Sequence, residues 1–270
     1  LTRVPGKIGV TYAVDLIGAA LGTLLVFPLL EGSNISTAFF WCGALGALGA
    51  LCFLVAGGLR LSATTFLAAA LLGWIGFANR DAADPMRVWY PKGNSFPNIE
   101  TEEYWNVHAE VTFMKTPAKG PHFWGPGKGA RDYEAKILNM AIDGAAGTVI
   151  TGWDGDVESL KWAEHDVTSL PYQLRPGGDA AIIGVGGGRD VLTALHFHSK
   201  SVVGIEINSI LLDLQKEHRD FAKLDGDPRV TLVHDEARSY LTRVGPRFDV
   251  LQMSLIDTWA ATGAGAMTLT

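Results

Sequence analysis

The chain has 270 residues and a formal net charge of −6, which is long enough for two modest domains. Its charge is unevenly distributed, because residues 1–79 contain five charged side chains and sum to +1 while residues 80–270 sum to −7. An acidic soluble portion argues against nucleic acid as a partner, since phosphate binding needs a basic surface. The sequence begins with Leu rather than Met, and we expect it to be an internal fragment of a longer chain.

Three long apolar stretches fill the first part of the chain, at residues 8–30, 37–57 and 61–78. Each is close to the ~20 residues that a helix needs to cross the hydrocarbon core. The sequence therefore predicts about three transmembrane helices in residues 1–79, surrounded by membrane lipid. Gly18 and Gly22 form a GxxxG pair, which allows close helix packing and predicts contact with further transmembrane helices of the parent chain.

Two features of this membrane part leave alternatives open. Asp15 lies inside the first stretch, where a carboxylate is either functional or a buried polar contact to a neighbouring helix. Basic residues flank the stretches in equal numbers on the two sides, so the positive-inside rule does not assign an orientation.

Residues 80–178 are predicted to form a linker and a small β-rich domain. Asp, Pro, Gly and Asn residues between 81 and 97 mark the linker, and residues 107–113 then alternate as in a strand. Residues 117–131 read as a loop, because the spacing of a Walker motif is absent. The segment 137–153 predicts a β-hairpin with Asp143 and Gly144 in its turn.

A helix is predicted over residues 160–174, and it carries His165 and Asp166. This pair is a candidate for the substrate side of a site. The alternative is that both residues belong to a solvated helix face.

Residues 179–270 are predicted to form an incomplete Rossmann-like domain. Strand 180–183 runs into a glycine-rich turn and then a helix at 189–196. Gly184, Gly186 and Gly188 are candidate cofactor-binding residues, because glycine lets the backbone turn sharply and approach a ligand closely. A dinucleotide fingerprint would need glycine at 189, where Arg189 stands, so the pattern favours an adenosyl sulfonium cofactor over NAD.

Acidic residues follow the next strands of this domain. Glu206 ends strand 201–206, at the distance from the glycine turn where an acid binds the ribose hydroxyls. Asp235 and Glu236 follow strand 230–234 and are assigned to the adenine end, with a solvated loop as the alternative.

The last strand, 248–253, leads to two further candidates. Asp257 is a candidate catalytic base, with a helix N-cap as the alternative. Trp259 is a candidate contact for a substrate chain.

These motifs resemble the spermidine synthase family of polyamine aminopropyltransferases, and within it the bacterial branch with a multi-helix membrane part before the synthase-like domain. The segments that carry the resemblance are 12–22, 141–144, 184–190, 203–208 and 255–261. The resemblance implies a small β domain before a parallel-sheet domain of the class I S-adenosylmethionine-methyltransferase type. It implies decarboxylated S-adenosylmethionine as donor and an amine such as putrescine as acceptor. We expect a bacterial inner-membrane location with a cytoplasmic soluble part, and a homodimer remains possible.

The resemblance implies ribose contact for Glu206 and adenine contact for Glu236 or Asp235. The sequence departs from the family at the reacting end. Gly187 stands where the soluble enzymes have an acid that meets the aminopropyl amine, and Ser254 stands where they have the acid thought to be the base. A glutamine after the hairpin turn is also missing, with Gly147 nearby.

Asp190 and Asp257 are our hypothesis for the replacement acids. A carboxylate there would accept the amine proton and hold the cationic tails. Two alternatives stay open, a methyltransferase that uses intact S-adenosylmethionine and a non-catalytic nucleoside-binding membrane protein. We expect no metal, because the seven histidines and two cysteines show no ligand spacing.

Overall fold

A computed structural model describes residues 8–57, 63–82, 85–88, 99–130 and 133–256. The chain forms two compact units. One comprises Leu1–Trp89 with Trp105–Val107, and the other comprises Tyr90–Tyr104 with His108–Thr270. The three-part division of the chain at residues 79 and 178 stays a prediction.

The first unit contains three helices, α1 (Ile8–Glu31), α2 (Ile35–Ala56) and α3 (Ala63–Arg80). None of the α1 side chains is buried within the unit. By length and composition, α1 and α2 qualify as membrane spans among the described residues, and α3 does not. The three predicted helices are therefore present, and their crossing of a membrane stays a prediction.

A polar contact fixes one end of the α2–α3 pair. Asn34 caps α2 by accepting a hydrogen bond from the Thr37 amide at 2.9 Å. Asn79 of α3 donates to the Thr37 hydroxyl at 2.8 Å and accepts from the Met86 amide at 2.6 Å. Helices α2 and α3 are otherwise mostly apolar. The hydrogen-bonded network of Asn34, Thr37 and Asn79 therefore sets the register of one helix against the other.

An antiparallel sheet begins the second unit. Its strands are β1 (Thr101–Trp105), β2 (Glu110–Met114), β3 (Ala118–Lys119), β4 (Lys136–Ile142) and β5 (Ala146–Thr151), with the order β1-β2-β4-β3 and with β5 paired to β4. The strand predicted at 107–113 is present as β2, and β1 is a strand that the sequence analysis missed.

The predicted β-hairpin is present as β4 and β5. The register pairs Ile137 with Thr151 and Ile142 with Ala146. Asp143 and Gly144 turn the chain with φ values of 46° and 73°. Both angles lie in the left-handed region, which is why Asp-Gly suits this turn.

The helix predicted over residues 160–174 is wrong as one continuous element. The chain forms 3₁₀ segments at Val157–His165 and Val167–Ser169 and a short α4 at Leu170–Leu174. Asp166 interrupts them in an extended conformation, because its side chain accepts a hydrogen bond from the Thr168 amide and starts a new segment.

A four-stranded parallel sheet follows. Its strands are β6 (Ala180–Ile183), β7 (Val202–Glu206), β8 (Val230–His234) and β9 (Val250–Met253), and the helices between them are α5 (Arg189–His196), α6 (Ser209–Glu217) and α7 (Ala237–Val244). The strand order β8-β7-β6-β9 is the Rossmann order with the first strand central. The predicted α/β class and parallel sheet are confirmed.

Every residue of α5 is buried, including its charged first turn. The apolar side of α5 packs in a core with β6 and the 3₁₀ segment Val157–His165. A second core lies between the antiparallel sheet and α6, and includes Phe113, Ile150 and Leu214.

Candidate nucleoside-binding site

A pocket of about 630 Å³ lies at the carboxyl ends of the parallel strands. Its walls are the glycine turn after β6, the end of β7, the acids after β8, the residues after β9 and the β4–β5 hairpin. Ligands of open parallel sheets bind outside the carboxyl ends of the strands, and pockets for drug-sized ligands are of about this volume.

The three glycines assigned from the sequence all adopt left-handed backbone angles. The φ values are 76° for Gly184, 52° for Gly186 and 89° for Gly188. Gly188 is the N-cap of α5. A Cβ on Gly184 would lie 2.5 Å from the side chain of Ile256 in the pocket wall. Glycine is therefore required at Gly184 for two reasons, its left-handed backbone angle and the steric collision that any Cβ would make with Ile256.

Gly187 is packed against the β4–β5 hairpin. Its amide donates to the Thr148 hydroxyl at 2.9 Å. A Cβ at this position would lie 1.8 Å from the carbonyl oxygen of Val149. The position where the resembling family has an acid is thus closed to any side chain with this hairpin packing.

Glu206 is buried at the end of β7, with 5% of its surface exposed, and lines the pocket. Its carboxylate accepts hydrogen bonds from the Gly186 amide and the Asn208 amide, both at 3.0 Å. These two contacts fix the carboxylate next to the glycine turn. Each carboxylate oxygen keeps a further lone pair, which suits a pair of ribose hydroxyls.

Asp235 and Glu236 both line the pocket after β8. The Asp235 carboxylate forms an ion pair with Arg243. Glu236 caps α7 by accepting hydrogen bonds from the amides of Arg238 and Ser239. A hydrogen bond from the Ser239 hydroxyl, followed by these two amide bonds, lowers the pKa of Glu236 to about 2. Both acids are therefore engaged within the chain, and their contact with adenine stays a prediction.

A buried cluster of Asp166, Thr168, Arg189 and Asp190 stands at the start of α5, and we call it the Arg189 cluster. The Arg189 guanidinium donates to Asp166 at 2.8 Å, to the Thr168 hydroxyl at 2.8 Å and to Asp190 at 2.5 Å. The three charged side chains are each less than a tenth exposed. Arg189 also lies over the Trp124 ring, 5.8 Å from its centroid.

The two carboxylates of the Arg189 cluster differ electrostatically. Burial raises the pKa of Asp166, but hydrogen bonds from Thr168 and Trp124 and the Arg189 charge outweigh it, so the pKa is below its usual value. Burial raises the pKa of Asp190 above its usual value, because Arg189 and a hydrogen bond from Ser254 offset it only in part. Of the two, Asp190 lines the pocket.

Asp166 corrects one interpretation made from the sequence. It is 3% exposed and ion-paired, so it does not belong to a solvated helix face. Its neighbour His165 faces Tyr133, whose hydroxyl is 2.9 Å from the His165 Nε2 atom. Neither residue lines the pocket, so a direct substrate contact for them stays a prediction without support from the described walls.

Asp257 and Trp259 lie outside the described residues. Their assignment as base and substrate contact stays a prediction. Ser254, which stands where the resembling family has an acid, lines the pocket and accepts a hydrogen bond from Gln252 at 2.8 Å.

Several pocket residues were not identified from the sequence as site residues. They are Thr148 from the hairpin, Arg189 from α5, and His122 and Trp124 from the loop after β3. Burial and the nearby Arg189 charge lower the pKa of His122. The only signal in the sequence was Arg189 itself, an arginine at the position of a fingerprint glycine.

Metal ligation finds no support in the described part of the chain. Among these residues, no group of three or more His, Cys, Asp or Glu side chains is placed to hold an ion.

The fold and the pocket define an α/β protein with a Rossmann-like strand order and a crevice at the carboxyl ends of its parallel strands. No family model matches the chain. It is similar to the solved structure of a spermidine synthase in complex with the transition-state analogue AdoDATO, with 17% identity over 58% of this chain and 47% of that one and a TM-score of 0.37. It is similar to the spermidine synthase from Thermotoga maritima, with 15% identity over 63% of this chain and 52% of that one and a TM-score of 0.40. The chain thus spans about half the length of these structures.

Proposed function

We propose that the pocket binds an adenosyl sulfonium donor and that the parent protein is a membrane-anchored aminopropyltransferase. The donor would be decarboxylated S-adenosylmethionine and the acceptor an amine such as putrescine. The observation that carries the proposal is the charge of the pocket wall. Among the residues that the structure describes, four carboxylates and one guanidinium line it, namely Asp190, Glu206, Asp235, Glu236 and Arg189. A wall with this negative balance favours a ligand with a sulfonium and an ammonium group.

The nucleoside end fits such a donor. The glycine turn lines the pocket with the backbone of Gly184 and Gly186, where a ligand can approach the main chain closely. Glu206 is fixed at the edge of β7 with acceptor capacity to spare. We assign ribose to Glu206 and adenine to the side with Asp235 and Glu236.

The reacting end is assigned to the wall formed by Asp190 and Ser254, next to His122 and Trp124. When a sulfonium donor is bound, an unprotonated amine attacks the carbon beside sulfur, so that the C–N bond forms, the C–S bond breaks and its electron pair stays on sulfur. The Asp190 carboxylate would hold an ammonium group there or accept the proton that the new C–N bond releases. The rings of Trp124 and His122 form part of the wall at this end.

A methyltransferase that uses intact S-adenosylmethionine is the second candidate. Arg189 favours it, because a guanidinium in the pocket wall suits a donor that keeps its carboxylate. Against it, the guanidinium is already bound by Asp166 and Asp190. A nucleoside-binding membrane protein without catalysis remains the third candidate.

Calorimetry with both donors separates these candidates. Purified full chain in detergent is titrated with decarboxylated S-adenosylmethionine and with S-adenosylmethionine, and products with putrescine are analysed by mass spectrometry. The proposal expects tighter binding of the decarboxylated donor and an aminopropylated amine. Preference for the carboxylated donor with a methylated product would overturn it, and binding without any product from a panel of amines would favour the third candidate.

The remaining assignments belong to the same proposal. We place α1 and α2 in the bacterial inner membrane, with lipid and further helices of the parent chain around them and the pocket on the cytoplasmic side. The apolar character of the two helices supports this. A homodimer is compatible with the proposal, and the proposal does not require one.

A further inference from the structure

We propose that Arg189 and Asp166 are positioning residues that hold the Asp190 carboxylate as the binding partner of a substrate ammonium group at the reacting end of the pocket. This inference rests on the proposed function. It deepens that function, because it assigns the ammonium contact to a side chain of α5 instead of an acid within the glycine turn.

The first step of the argument is steric. An acid within the turn at Gly187 is excluded by the Val149 carbonyl, 1.8 Å from where its Cβ would be. Asp190 is the nearest acid along the chain, lies in the first turn of α5 and lines the pocket. An anionic group at the reacting end must therefore come from α5 or from elsewhere in the wall.

The second step is orientation. The Arg189 guanidinium contacts Asp190 through one terminal nitrogen and Asp166 through the other. Asp166 is in turn fixed by the backbone amides of Trp124 at 2.7 Å and Thr168 at 3.0 Å. Because the guanidinium is planar, holding one end of it sets the direction of the other. The backbone amides of Trp124 and Thr168 therefore fix the Asp190 carboxylate indirectly, through Asp166 and Arg189.

The third step concerns buried polar atoms around the Arg189 cluster that lack a hydrogen-bond partner. Among the described residues, four buried polar atoms near it have no hydrogen-bond partner: Nε of Arg189, Oη of Tyr172, Oε1 of Gln252 and Nε2 of His122. Tyr172 and His122 interact electrostatically with Arg189, and Gln252 donates to the Thr168 carbonyl. Buried polar groups are normally satisfied, so this surplus indicates a site for water or a polar ligand group.

The fourth step is charge. The groups that act on Asp190 are Arg189 from α5, Asp166 from the preceding loop, Tyr172 from α4 and Ser254 after β9. If its three charged members are ionised, the cluster carries one net negative charge, enough to pair with one ammonium. Burial raises the pKa of Asp190, Arg189 and Ser254 oppose this, and the Asp166 charge adds to it.

Two substitutions with opposite expected effects test the inference. Arg189→Gln removes the cation, so the pKa of Asp190 rises further. Asp166→Asn removes the second anion, so the pKa of Asp190 falls. Calorimetric titrations over a pH series that starts below the usual pKa of an aspartate use decarboxylated S-adenosylmethionine and 5′-dimethylthioadenosine, a sulfonium that lacks the ammonium group. We expect affinity for the first ligand to rise with pH as Asp190 ionises, with a midpoint moved upward in Arg189→Gln and downward in Asp166→Asn.

Matched controls separate this role from general charge effects and from misfolding. Asp213 and Lys216 form an exposed pair on α6, and Asp213→Asn and Lys216→Gln remove the same charges away from the pocket. Both are expected to leave the midpoint unchanged. Arg189→Lys keeps the charge and is expected to leave the midpoint near that of the unsubstituted chain, but to lower the affinity for decarboxylated S-adenosylmethionine, because an ammonium group lacks the planar geometry that holds Asp166 and Asp190 together.

The outcomes also distinguish this inference from the proposed function. If both sulfonium ligands bind with the same pH dependence, or if the two substitutions shift the midpoint in one direction, the inference is overturned while nucleoside binding stands. If neither ligand binds the unsubstituted chain, the proposed function fails and the inference fails with it.

Discussion

The amide of Gly186 donates a hydrogen bond to the carboxylate of Glu206 at 3.0 Å. This contact joins the turn after β6 to the end of β7, two neighbouring strands of the parallel sheet. It makes one acid responsible for both the shape of the glycine turn and, in our proposal, the ribose hydroxyls. A substitution at this residue therefore tests the nucleoside end directly.

Glu206→Gln is expected to weaken binding of 5′-methylthioadenosine by roughly 10- to 100-fold, equivalent to about 1.4–2.8 kcal/mol. The amide oxygen of Gln can still accept from Gly186, but the side chain loses its charge and half of its acceptor capacity. Isothermal calorimetry on the full chain measures the change. Glu158→Gln, in an exposed pair with Lys161, is the matched control, and equal affinities in the two variants would contradict the ribose assignment.

Gly187→Asp is expected to damage the fold rather than restore the acid of the resembling family. The new Cβ meets the Val149 carbonyl, which is backbone and cannot rotate away, so we expect a loss of roughly 1–3 kcal/mol or more. Thermal unfolding of the full chain followed by tryptophan fluorescence measures it.

Gly147→Ala is the control for that substitution. It lies in the same hairpin, and nothing is within 4 Å of a Cβ built there. We expect an unfolding midpoint close to that of the unsubstituted chain. A Gly187→Asp protein as stable as Gly147→Ala would mean that the hairpin does not close this position.

The glycine turn and its place in the fold were predictable from the sequence because the signals are local. Strand, glycine turn and helix are continuous in the chain, and the α5 helix begins and ends where the pattern predicted it, at Arg189–His196. Glu206 was found for the same reason, since it directly ends its strand.

The reacting end was less accessible because its contacts are distant in sequence. The sequence shows Asp166 as a polar residue in a helical segment, whereas its burial depends on partners distant in the chain, namely Arg189, 23 residues away, and the Trp124 amide, 42 residues away. Thr148 reads as a hairpin residue, and its bond to Gly187 spans 39 residues. β1 was missed because its sequence is mostly polar and half-buried, which gives no alternation to detect.

Glu110→Gln is expected to stabilise the chain at neutral and alkaline pH. Burial raises the pKa of Glu110 to about 7, helped by the nearby Glu103 and Asp143 charges and opposed by a hydrogen bond from Thr112. A raised pKa means that the protonated acid stabilises the fold. This contribution is full below about pH 4.5 and is lost as the pH rises through 7. Gln mimics the protonated acid, so its advantage should grow from pH 5 to pH 8, to on the order of 1–3 kcal/mol.

Thermal unfolding midpoints between pH 5 and pH 8 measure this difference. Glu100→Gln is the control, because its side chain is 72% exposed on the same part of the chain. Parallel pH profiles for Glu110→Gln and the unsubstituted chain would show that Glu110 does not titrate in this range.

Leu21→Arg is expected to block membrane insertion of α1. Leu21 lies near the middle of α1 and is 55% exposed, with no protein surface over it in the first unit. An arginine at the centre of a spanning helix costs about 2.5–3.5 kcal/mol on insertion scales, whereas one near the end reaches the interface with its long side chain. Leu30→Arg, close to the end of the same helix, is therefore the matched control. Glycosylation mapping in microsomes measures both, and equal insertion of the two variants would mean that α1 does not span the bilayer.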